Sequence, residues 1–141
     1  MMNQFQNLLG KNKSHENYIQ FENQLISEAT IRENNISSSY KQYDFEILYK
    51  QDGILVSFLN DVIIAVKVYF SPTPICQPFR NEFVFGLSYI SSENDIKKQF
   101  NFPKNLNLEP MRADNIYQYE NCTVAFDAMT GEINYAEIRI I

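Results

Sequence analysis

The sequence holds no tryptophan, one histidine, two cysteines, four glycines and five prolines in 141 residues, and its charge balance is acidic. Each shortage removes a class of function. His15 has no second histidine to complete a metal site or a nucleophile–base pair, and Cys76 and Cys122 form no CxxC motif. Twelve Lys and Arg against seventeen Asp and Glu give a net charge of -5, the opposite of the basic footprint that nucleic-acid binding needs. No run approaches the length of a membrane-spanning helix, so none is predicted. The first residues, MMNQFQNLLGKNKS, lack a continuous apolar core and a small-residue cleavage site, so no secretory signal is predicted. The expectation is a cytoplasmic protein with reduced thiols, although one long-range disulfide is compatible with the same cysteine count.

Catalytic signatures are missing too. There is no GxSxG, no HExxH, no glycine-rich phosphate loop. Paired carboxylates alone can support glycoside hydrolysis, and Glu93 with Asp95 or Asp44 with Glu46 are the pairs to consider. The first suits a helix N-terminus, where negative charge is favourable, and the second the outward side of a strand. No catalytic residue, cofactor or metal is therefore expected, and the chain reads as a binding protein.

What is present is aromatic and apolar. Eleven Phe, nine Tyr and 45% hydrophobic residues suit one strand-rich domain over residues 1–141, because aromatic and β-branched side chains fit a pleated, half-buried surface. Phe5, Leu8 and Leu9 form a small apolar patch. Ser14 can cap a helix to about Ala29, with Tyr18, Phe21 and Leu25 on one face. Residues 30–40 are polar and read as a loop. The period then changes to two. Phe45, Ile47 and Tyr49, then Ile54, Val56 and Phe58, then Ile64, Val66, Val68 and Phe70 predict a three-stranded antiparallel meander.

Pro72, Pro74 and Pro78 make residues 71–82 an extended connection. After it, Phe83 to Phe85 suit a buried strand end and Gly86 a turn. Ser92 caps a short amphipathic helix from Glu93, with Asp95 returning an acceptor and Ile96 and Phe100 on one face; Asn101 before Phe102-Pro103 is its exit. A polar loop containing Pro110 follows. Alternation returns in Ile116 to Glu120, in Cys122, Val124 and Phe126, and in Ile133 to Ile140. The two halves, about 5–70 and 83–141, share one grammar of helix, polar loop and three strands. The predicted fold is α+β: two α-β-β-β repeats forming antiparallel sheet with both helices on one face. The other face carries Asp44, Glu46, Lys50, Ser57, Lys67, Thr123, Asp127, Glu137 and Arg139, so it is expected to meet solvent or a partner.

The order LLGKNKS, GILVSF, VIIAVKVYF, FVFGLSYISSENDIKKQFNFP and YQYENCTVAFDAMTGEINYAEI resembles small bacterial immunity proteins of polymorphic-toxin and contact-dependent systems. The segment that carries the likeness is Phe85-Gly86-Leu87-Ser88-Tyr89 followed by Ser92-x-x-Asp95-Ile96, with Asn101 where that family has glycine. The layout also resembles the tandem α/β repeats of the β-lactamase-inhibitor-protein (SmpA/OmlA-like) fold. The resemblance implies a protein that binds and neutralises a cognate toxin effector by occluding its active or substrate-binding surface, and it transfers no catalytic residues. Six acids against two arginines from residue 105 onward suit a toxin with a basic surface. Tyr69, Tyr89, Tyr117, Tyr119 and Tyr135 are candidate interface anchors. The candidate partner-binding residues are Tyr117, Tyr119, Glu120, Asp127 and Glu137, chosen by charge and strand position. The other readings are a small inhibitor or assembly module acting on an endogenous or envelope protein, and a ligand-binding domain with an apolar cleft between sheet and helices.

Overall fold

The structure is a computed structural model that describes residues 3–33, 42–100 and 114–140. Helices α1 (Glu16–Asn23) and α2 (Glu93–Phe100) accompany strands β1 (Ala29–Glu33), β2 (Phe45–Tyr49), β3 (Ile54–Leu59), β4 (Val62–Tyr69), β5 (Asp114–Tyr119), β6 (Cys122–Asp127) and β7 (Ile133–Arg139). The strands form one antiparallel sheet in the order β1-β2-β3-β4-β7-β6-β5. The fold is α+β and mostly strand. β2, β3 and β4 are the expected meander, and β5, β6 and β7 the expected second group; the two groups join through β4 and β7, where Lys67 lies opposite Glu137 and Tyr69 opposite Tyr135.

Alternation explains the two faces. Ile47, Tyr49, Ile54, Val56, Phe58, Val66 and Val68 from the first group share one core with Val124, Phe126, Ala136 and Ile138 from the second, and α1 adds Tyr18 and Phe21 while α2 adds Ile96. Phe45 stacks on Phe58 with ring centroids 4.6 Å apart, and Tyr18 meets Phe58 edge-on. The N-terminal patch closes this core. Phe5 is fully buried against Phe21, Phe79 and Phe83. In β4 the alternation slips once: a register shift at Ser57/Phe58 puts Ile63, not Ile64, in the core.

Three local expectations are corrected. The first helix stops at Asn23, and its N-cap is His15, whose Nδ1 accepts from the Asn17 N–H, rather than Ser14. The chain leaves the helix because Ser27 is drawn to the β2–β3 turn: its N–H and hydroxyl donate to Asp52, while Gln51 and Asp52 N–H donate back to its oxygen. That anchor starts β1, which pairs with β2 across residues read from sequence as helix end and loop. Finally, Phe83 to Phe85 are not a strand. Phe83 N–H donates to Leu87 O at 2.7 Å, Val84–Gly86 form a 3-10 turn, and Phe85 itself sits at φ 57°.

The N-terminus of α2 follows expectation, with Asp95 N–H donating to Ser92 Oγ at 3.2 Å. The Phe100 side chain, the exit at Asn101 and the loop with Pro110 lie outside the described residues. The proline connection wraps round the β2–β3 turn and forces a glycine there: a Cβ on Gly53 would lie 2.5 Å from Gln77 O and 2.6 Å from Phe79 N. It thereby carries Cys76 to one sheet face and Phe79 to the other. Both cysteines are free and buried.

Candidate functional site

The sheet face opposite the helices is organised around the β4–β7 pair. Lys67 stands at its centre, its Nζ 4.1 Å from the centroid of the Tyr135 ring and 4.9 Å from that of Tyr69. Burial pushes Lys67 below its ordinary pKa, opposed by the negative charges of Glu137, Glu46 and Asp114. The two rings offer the ammonium a cation–π environment in place of lost water. Burial also raises the Tyr69 hydroxyl to about 12.

Around this centre the charges are already matched. Glu137 Oε1 pairs with Arg139 at 2.8 Å, and Glu46, only 8% exposed, lies 3.6 Å from Arg32. Asp114 accepts from Asn134 Nδ2 at 2.6 Å. Acids and bases thus share the face, with Lys50 beside Arg32 and Leu48 and Asp127 opposite Asp114. On one flank Leu48, Leu55 and Cys76 make a small apolar cluster against Tyr69. The face thus combines aromatic, apolar and paired charged groups.

The five residues singled out from sequence do not all converge on it. Glu137 belongs to this face, and so does Asp127, which lies opposite Asp114 at the edge of the sheet. Tyr117 is on the helix side, buried, and its hydroxyl donates to Glu93 of α2 at 2.7 Å. Tyr119 is half-buried beneath the Phe85 ring, 5.5 Å between centroids. Glu120 forms the β5–β6 turn at φ 51°. Asp127 is at the opposite end of β6, where it accepts from the N–H groups of Thr130 and Met129, which hold its carboxyl below the ordinary range. Charge and strand position alone could not separate these duties.

Lys67, Tyr69 and Tyr135 were legible in principle. A lysine set inside the apolar run VIIAVKVYF marks a strand with a polar outer face, but only the β4–β7 pairing brings Tyr135 to it.

A recess of about 290 Å³ lies between α1, the β2–β3 turn and the proline connection, floored by Phe5, Phe21 and Phe79. It sits at the lower limit of ligand pockets, and its floor rings are core residues. Among the described residues no group of three His, Cys, Asp or Glu side chains could hold a metal. No described helix is long and apolar enough to cross a membrane. Comparison with family models, with curated proteins and with solved structures finds no match to this chain.

Proposed function

We propose that this protein is a non-enzymatic, cytoplasmic immunity protein that binds one cognate bacterial toxin effector and occludes its active or substrate-binding surface. The observation that carries the reading is the sheet face opposite the described helices, with Lys67 held between Tyr69 and Tyr135 amid paired charges. Tyrosine offers large contact area with a polar tip, and pre-paired charges bind without fresh desolvation of isolated ions. The net charge of -5 favours a partner with a basic surface, acting through the field of the whole molecule because the face itself is balanced. We also read the chain as two α-β-β-β repeats, with β1 an addition to the first. The mirrored strand order and the matching register shifts at Ser57/Phe58 and Ala125/Phe126 support this.

Co-expression with the product of the neighbouring gene tests the proposal. The expected result is a complex that survives purification, and cells that tolerate the neighbour only when this protein is present. A neighbour that is harmless and forms no complex would remove the reading.

A further inference from the structure

A second surface lies at the segment before α2 and the β6–β7 turn. Tyr89, Ile90 and Met129 are 57%, 74% and 95% exposed. Tyr89 and Ile90 are adjacent at the tip of the segment between the proline connection and α2, and Met129 tops the β6–β7 turn. Backbone hydrogen bonds hold these two pieces together: Ser92 bridges to Glu132, and Glu93 N–H donates to Gly131 O at 3.3 Å. Large apolar groups exposed singly are ordinary, but neighbouring ones on a fixed scaffold mark an interaction site.

The tip is rigidly made. Leu87 N–H donates to Val84 O, Ser88 N–H to Ser91 Oγ at 3.0 Å, and Ser91 N–H to Ser88 O at 3.0 Å. At its base Phe85 and Gly86 both adopt left-handed backbone, φ 57° and 74°. Such a conformation at phenylalanine is held only because Phe83, Val84 and Leu87 on either side are fully buried. A turn ordered in advance loses little entropy when it docks. Beside Tyr89 a depression of about 300 Å³ is lined by Pro72, Pro78, Arg80 and Glu132, which gives a partner a foothold next to the ring.

Charge decides what kind of partner fits. Residues 82–95 and 127–132 carry Glu82, Glu93, Asp95, Asp127 and Glu132, against Arg80 in the depression beside Tyr89. An apolar tip with this rim is complementary to a cleft with an apolar floor and basic walls, and repels an acidic one. We propose that the tip formed by Tyr89, Ile90 and Met129 is a plug that enters an apolar, lysine- or arginine-walled cleft of the partner protein. This rests on the toxin-binding reading above and names the contact that would block the effector.

The test uses the full chain and the co-encoded neighbour, with binding measured at low and high salt. Tyr89→Ala with Ile90→Ala is expected to weaken the complex about 100-fold, mainly through faster dissociation, and Met129→Ser about tenfold. Glu132→Lys is expected to slow association at low salt and to match wild type at high salt. These side chains are exposed, so unchanged thermal unfolding verifies that each variant is folded. A complex that forms but tolerates the double variant within about threefold overturns the plug and leaves the immunity reading intact. Absence of any complex or protection overturns both.

Discussion

The two three-stranded groups solve the same packing problem with different hardware. In each, a short helix lies on one face and is tied by a tyrosine-to-glutamate hydrogen bond to β2 or β5. In the first group the tie is doubled: the Tyr49 hydroxyl donates to the exposed Glu22 at 2.6 Å, and the buried Tyr18 is hydrogen-bonded to Tyr49 and to the same carboxylate. In the second it is single, with Tyr117 on Glu93 and the exposed Lys97 5.4 Å over the ring. Burial raises Tyr18 to about 12 and Tyr49 beyond the ordinary tyrosine range, whereas Tyr117 is raised with Lys97 opposing the shift. The same chemical pair is therefore backed by a second buried hydroxyl in the first group and by an exposed ammonium in the second.

Substitutions can break this comparison. The largest effect is expected from Phe58→Ala, which removes the ring that joins Phe45 and Tyr18 and should cost about 3–5 kcal/mol in urea unfolding. Phe126→Ala, whose ring meets Tyr117, should fall at the lower end of that range. Next is Tyr49→Phe, which leaves the buried Tyr18 hydroxyl short of a partner and should cost about 1–3 kcal/mol. Tyr117→Phe should cost less than about 1 kcal/mol; equal losses would show that the two ties are equivalent.

The pH dependence sharpens the same contrast. The folded chain keeps the Tyr18 proton up to about pH 12, while tyrosines of the unfolded chain ionise near pH ~10. Above ~10 the folded state binds more protons, so this contribution is fully present below that pH and declines as pH rises towards 12. Unfolding followed from pH 8 to 12 should steepen above about 10, and Tyr18→Phe should flatten the slope. The smallest effect belongs to the face around Lys67. Glu137→Gln breaks the pair with Arg139 and removes one of the charges that support Lys67, and should change stability by about 1 kcal/mol or less.

The amino-acid order determined the alternating strands, because a face that must be buried needs an apolar residue at every second position, as in Phe45, Ile47 and Tyr49. It also determined the start of α2, since Ser92 caps its helix locally. β1 was not legible: among its five residues Ile31 is the one large apolar side chain, exposed at the sheet edge, and the strand exists because Ser27 is anchored on Asp52 far along the chain. Nor was the turn at Phe83–Phe85, whose consecutive buried residues follow from packing under Phe5 rather than from any period. The central lysine face and the apolar tip are likewise tertiary products. Composition supplied their tyrosines and acids, but only the antiparallel pairing of β4 with β7 and the bridge from Ser92 to Glu132 decided which of them meet. Local patterns are set by neighbours in sequence, whereas a binding surface is assembled from residues that only long-range pairing brings together.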